Sequence, residues 1–340
     1  MKQRNRKDSD TGQFKSAGEF YRVVQKECLG LSHDSRLKTM TEGDDASGGF
    51  LLPEAWRDEL LYVAIENSIV RRSAIVVPMP SDEITIPVVI DPSHASVIFG
   101  GAQHQWIKEG AAKDIYDADL TLGNITLTAH KAVILALASN ELERDVPRFG
   151  FYLTDILGRA MGHYQDWQFT YGTGSGRPLG VFRSAALIQE TRMIPNKLTI
   201  ADFGHLARRL LVRSWEKAEW IVNNDTIGEI FELASSNANP TSVIDLSRRR
   251  IFDCPITPSE LAQALGEIGD VSLVDFSHYV IGERELGVSY SPHAPGYFEK
   301  DMGVWKIVAR YDGQPILNSP ITPHLGANTL SPFVTLTAAS

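Results

Sequence analysis

SNELERDVPRFGFYLTDILGRAMGHYQDWQFTYGTGSGRPLGV, residues 139–181, carries a long amphipathic segment into a glycine-rich loop. Phe149, Leu153, Ile156, Leu157, Ala160, Tyr164 and Trp167 recur at steps of three and four, which predicts one apolar stripe on a helix covering about residues 140–171. Pro147 suits a first helical turn, where its missing N–H leaves nothing unpaired, so a short leading turn at 140–143 should kink into the main helix there. Gly172, Gly174 and Gly176 cannot prolong the helix, and Arg177, standing before Pro178, is pushed toward an extended conformation. The helix is expected to stop at a sharp corner.

Glycines also let backbone N–H groups approach an anion. The spacing in GTGSGR matches neither G-x-x-x-x-G-K-[ST] nor G-x-G-x-x-G, and the loop follows a helix where those motifs follow a strand. A structural corner is therefore the better reading. Trp167, Phe169 and Tyr171 read as core or interface packing rather than a stacking platform, because only Arg177 brings a positive charge near them.

The 340 residues hold 42 acidic against 33 basic side chains, a net charge of −9, which disfavours a protein whose main task is gripping nucleic acid through phosphates. Lys2, Arg4, Arg6 and Lys7 form a local exception that reads as a solvated tip. Cys28 and Cys254 lie far apart with no metal-type spacing, so neither a disulfide framework nor a zinc site is expected, and a reducing compartment is. The start lacks an apolar core of the secretory type, and the longest apolar run, 132–138, is too short to cross a bilayer, so a soluble chain without a secretion signal is expected.

The nine histidines show no H-x-x-x-H or H-E-x-x-H spacing. Acidic pairs such as Asp44 with Asp45 and Glu141 with Glu143 sit in loop or helix-start positions, where the helix dipole alone favours them. No G-x-S-x-G elbow is present. The residues thus nominate no catalytic group, no cofactor site and no metal site.

Along the chain, residues 1–48 are mostly polar with one helical patch at 17–29, where Phe20, Val23, Val24 and Cys28 share a face. They read as an arm that needs neighbours to order it. Pro53 opens a helix through Trp56, Leu60, Leu61 and Ala64. Residues 75–90 read as a hairpin around Pro80, Ser81 and Asp82, and 120–139 as a strand pair that finishes fully buried. The long passage between them suggests a projecting two-stranded ribbon, marginal in isolation and so expected to lean on a partner chain. Beyond Val181 the pattern is mixed: a capping box at Thr199 and Asp202, a strand at EWIVN, a helix through Ile227, Ile230, Phe231 and Leu233, and strands at 279–282, 304–311 and 333–336.

Five blocks, taken in order, resemble the major capsid proteins of tailed double-stranded DNA bacteriophages with the HK97-type fold. GGFLLPEAWRDEL with SIVRRSAIVVPM and ITIPV is similar to that family's entry from arm to first helix and projecting loop, and the helix ending in GTGSGRPLGV to its spine helix and corner. EWIVNNDTIGEIFEL, CPITPSEL, DVSLVDFSHYVIGER and YFEKDMGVWKIVARYDGQPI resemble its apical domain and closing strand, so the likeness covers about residues 48–320.

The resemblance implies an α+β chain: an arm at 1–48; a peripheral domain at 49–180 with an extended loop at about 75–118 and a spine helix at about 140–171; an apical domain at 181–310; and closing peripheral strands at 311–340. It implies a structural role rather than an enzymatic one. Pentamers and hexamers would close into an icosahedral shell around double-stranded DNA, without sequence-specific binding, as a virion capsid assembled in the host bacterial cytoplasm. Arm and extended loop would lie across neighbouring subunits, with contacts at Gly48, Gly49, Pro53, Trp106, Lys108, Lys113, Gly172, Gly174, Gly176, Arg177, Pro178 and Arg310.

Portal and decoration proteins are implied partners. Relatives with a fused scaffolding region carry more chain ahead of the GGFLLP block, so a separate scaffolding protein, or none, is expected. Some relatives join subunits through a lysine to asparagine bond; Lys108 and Lys113 lack a matching partner context, and non-covalent contacts are expected. An encapsulin-like nanocompartment, or an enzyme acting at the 172–180 loop, are the competing readings.

Overall fold

The computed structural model describes residues 14, 16–37, 50–66, 68–89, 92–94, 122–139, 141, 149–235, 243–292 and 297–338. Helix α1 (Ala17–Cys28) begins at Ser16, whose hydroxyl accepts the Glu19 N–H, and buries Phe20, Tyr21 and Val24. Burying those three side chains is worth about 2 kcal/mol each, enough to dock the helix on its own chain. There follow β1 (Phe50–Leu51), α2 (Glu54–Glu66), α3 (Val70–Ser73), β2 (Ile75–Pro78), β3 (Glu83–Val89), β4 (Leu122–Thr128), β5 (His130–Ser139) and the long α4 (Phe149–Tyr171). The rest comprises β6 (Ile188–Thr191), α5 (Ile200–Ala207), β7 (Glu219–Val222), α6 (Asn224–Ser235), β8 (Ile244–Asp245), β9 (Arg250–Ile251), β10 (Cys254–Pro258), β11 (Val271–Val274), β12 (Tyr279–Ser291), β13 (Met302–Pro315) and β14 (Phe333–Thr337). The expected capping box is present: Thr199 accepts the Asp202 N–H, and Asp202 accepts the Thr199 N–H.

The strands fall into three sheets. The first has the order β1-β12-β13-β5, with β2 parallel to β12; the second runs β6-β14-β11-β7-β10-β9-β8; the third is the ribbon β3-β4. Helices α1, α2 and α4 cover the first sheet, where Trp305 sits edge-on to Tyr21 at 5.3 Å and Tyr290 lies 4.8 Å away. Phe203 meets Trp220 edge-on at 5.3 Å in the second core, and the Trp220 indole N–H donates to the Ile251 carbonyl.

Four expectations are corrected. Residues 75–90 are not a hairpin, since β2 pairs with β12 and β3 with β4. The 120–139 pair likewise divides at Ala129, with β4 in the ribbon and β5 on β13. In both places a short local link joins strands whose partners lie far along the chain. The boundary expected between 310 and 311 cuts through β13, and β12 and β13 lie in the first sheet with β1, β2 and β5, although the expected apical span 181–310 holds all of β12 and most of β13. Conversely β14 joins the second sheet, not the first.

The fourth correction concerns α4. Its buried positions step by four through Gly150, Thr154, Gly158, Gly162, Asp166 and Thr170, beside Leu153, Leu157, Met161 and Phe169. Glycine is required there because other helices come so close: a Cβ on Gly162 would lie 2.7 Å from the Ala64 carbonyl oxygen, and one on Gly158 2.9 Å from Val63 Cβ. Three of the seven expected stripe residues turn outward, with Ile156, Tyr164 and Trp167 59%, 58% and 42% exposed. The leading turn and Pro147 lie outside the described residues, apart from Glu141, which is helical.

Candidate assembly surfaces

The buried seam of α4 positions the strands that leave it. Asp166 accepts from the Ser68 hydroxyl at 2.5 Å and from the Ile69 and Val70 N–H groups at 2.6 and 3.2 Å, closing the start of α3 with a carboxylate. Burial pushes that carboxyl up, while the three donors pull it back. Next to it Arg71 is buried and paired with Glu283 on β12; burial lowers its guanidinium to about 10. This link fixes α3, and so β2, against the first sheet.

At the other end of α4 the corner folds back on itself. Thr173 bridges Leu179, Gly174 N–H donates to Pro178 O at 3.1 Å, and Gly180 N–H to Gly172 O at 2.9 Å. Gly174 and Gly176 take φ of +77° and +65°, and a Cβ on Gly172 would lie 2.2 Å from Pro178 O. Leu179 then donates to Gly313 O on β13 and accepts from the Tyr279 hydroxyl. The Gly174 and Gly180 amides thus point into the turn rather than toward an anion. Arg177 is exposed and Pro178 buried.

The ribbon is rooted in its own chain. Asp82 pairs with Arg284 and, at 3.1 Å, with Arg310; Asp312 accepts the Thr128 N–H at 2.8 Å, and Gln314 donates to Thr126 O at 2.8 Å. Met79, Ile125, Leu127 and Val280 form an apolar base beneath it. A partner chain is not needed to hold this end.

Strand β5 is expected to be fully buried, yet it buries one face alone: Ala132, Ile134 and Ala136 pack half-buried against the core and Ala138 is fully buried. Val133, Leu135 and Leu137 point outward, 46%, 64% and 44% exposed, on the free edge of the first sheet. Between β5, Met161 and Tyr164 of α4, and Pro178 runs a groove of about 520 Å³. The lone chain thus leaves apolar side chains uncovered along this edge.

Of the residues expected at subunit contacts, Gly48, Gly49, Trp106, Lys108 and Lys113 lie outside the described residues. Pro53 precedes α2 and accepts the Trp56 and Arg57 N–H groups, and Arg310 is engaged within its own chain. Asp166, Arg71, Glu283 and Asp312 were not anticipated. Their partners lie 96 to 212 residues away in sequence, where no local pattern can reveal them. Among the described residues no group of three or more His, Cys, Asp or Glu is placed to hold a metal ion, and no helix is long and apolar enough to cross a membrane.

Two main sheets, the long helix α4 and the β3-β4 ribbon define a mixed α+β subunit. The sequence pattern of the phage capsid family matches residues 48–324. The fold is shared with the capsid of a native GTA particle, at TM-score 0.59 and 16% identity over 81% of this chain and 91% of that one. It is shared too with a chain from Mycobacterium phage Adephagia (0.56, 14%, 80% and 90%) and one from Mycobacterium phage Bobi (0.54, 15%, 94% and 99%). No curated protein sequence matches the chain. The chain belongs to the phage capsid family and is a structural major capsid protein of the HK97 type.

Proposed function

We propose that copies of this chain form pentamers and hexamers that close into an icosahedral shell around double-stranded DNA, as a virion capsid assembled in the host cytoplasm. The observation that carries this is the apolar surface a lone chain leaves open: Val133, Leu135 and Leu137 on one side of the first sheet, Ile156, Tyr164 and Trp167 on α4. Cover from symmetry-related copies would use it, through head-to-tail contacts that close on themselves. The acidic balance of −9 suits a container that releases its cargo. A structural role without catalysis goes with this reading, as do portal and decoration proteins as partners and a scaffolding protein that is either separate or absent. The corner at Gly172, Gly174, Gly176, Arg177 and Pro178, with Pro53 and Arg310, would shape contacts between copies.

Sedimentation and negative-stain microscopy of particles from producing cells test it. Shells or rings of five and six, with nuclease-protected DNA in the filled form, are expected. A small soluble oligomer as the sole product would refute the shell, and shells that never protect DNA would favour a nanocompartment.

A further inference from the structure

The second sheet carries different features at its two edges. Strand β6 forms one edge, and the turn after it, with the turn before β11, exposes Met193, Ile194 and Ile268 together with the acidic Glu267. The two turns touch: a Cβ on Gly266 would lie 2.2 Å from Asn196 Oδ1. Beneath them Arg192 and Asp270 form an ion pair whose side chains are both fully buried. Arg192 also donates to Lys197 O at 3.0 Å, and Asp270 accepts the Gly266 N–H at 2.8 Å. This apolar knob is therefore stiff before any partner arrives.

Toward the opposite edge, formed by β8, is a pocket of about 300 Å³ lined by Ile227, Ile230, Phe231, Leu246, Arg249 and Ile256. Phe231 is 53% exposed at its mouth. Arg249 is exposed and has no acidic partner among the described residues. Knob and pocket share one end of the sheet: Val222 of β7 pairs with Val271 where β11 begins, and with Pro258 where β10 ends. The β6 and β8 edges are six strand spacings apart, roughly 30 Å.

We propose that the Met193–Ile194 turn of one copy seats in the Phe231 pocket of a second copy, with Glu267 of the first facing Arg249 of the second. Apolar knob meets apolar pocket, and an exposed carboxylate meets an exposed guanidinium. Because the two features lie on different edges, the contact is head-to-tail and each copy uses both, which is the condition for a closed ring. This rests on the shell reading and specifies one of its contacts.

The test is a charge exchange in the full chain, scored by sedimentation and microscopy against the wild type made in the same way. Glu267→Arg and Arg249→Glu should each lower the yield of rings and shells about tenfold, and the two together should restore it to within about twofold. Phe231→Ser should reproduce the loss with an unchanged unfolding midpoint. Singles that assemble normally, a double no better than the worse single, or normal rings from Phe231→Ser would overturn the contact. A wild type that makes no rings at all would instead defeat the shell reading beneath it.

Discussion

Gly162→Ala sets two effects of opposite sign against each other. In an exposed helix interior the change gains about 1 kcal/mol, because alanine loses less backbone entropy. In α4 the new methyl would lie 2.7 Å from the Ala64 carbonyl oxygen, well inside ordinary contact, and that atom belongs to the backbone of α2 and cannot swing aside. Moving the packed helix costs about 3 kcal/mol on the scale of overpacked cores. The net expectation is a loss of about 2 kcal/mol. Gly204→Ala in α5 is the control, since an added Cβ there meets nothing within 4 Å; it should gain about 1 kcal/mol. Urea unfolding of the unassembled subunit, followed by circular dichroism with the slope held in common, reads both. A Gly162→Ala chain as stable as the parent would refute the argument that glycine is there for close approach.

Asp270→Asn leaves Arg192 charged and unpaired in a fully buried place, and should cost about 3 kcal/mol in the same assay. Thr199→Ala removes the cap of α5 and should cost about 1 kcal/mol. Burial pushes the Asp275 carboxyl up, but His278, Ser214 and Ser277 outweigh it and hold it at about 2, below its ordinary 3.8. A depressed carboxyl stabilises the folded chain above pH 4 and loses that contribution as pH falls toward 2. The stability difference between the parent and Asp275→Asn should therefore shrink by about 2 kcal/mol across that window, and a constant difference would count against the pairing.

Elements with a strong local period are legible in the sequence itself: α1 through Phe20 and Val24, α2 through Trp56 and Leu60, and the capping box at Thr199. The corner was legible as well, because Gly172 and Pro178 bring their own backbone rules. What escaped was whatever depends on a distant partner. The link at Pro80 to Asp82 resembles a hairpin turn locally, and only the pairing of β2 with Val280 to Glu283 shows that it is a crossing between sheets. The α4 stripe misled for a different reason. Apolar periodicity counts Gly158 and Gly162 as gaps, whereas close helix packing makes them the centre of the buried face and sends Ile156 and Tyr164 outward. Asp166 and Arg71 look like surface residues by type, and their burial rests on partners contributed by other elements.

The position of β14 bears on how the subunit is made. Residues 333–337 enter the second sheet between β6 and β11, whereas every strand of the first sheet is present by residue 315. A growing chain can thus finish one sheet while the other still lacks the strand next to its edge, with β6 unpaired and one side of β11 open. Open strand edges invite pairing with the wrong chain, so such a fragment is a hazard to the lattice. Pairing of β14 with both β6 and β11 thus completes the second sheet only after every strand of the first has been made.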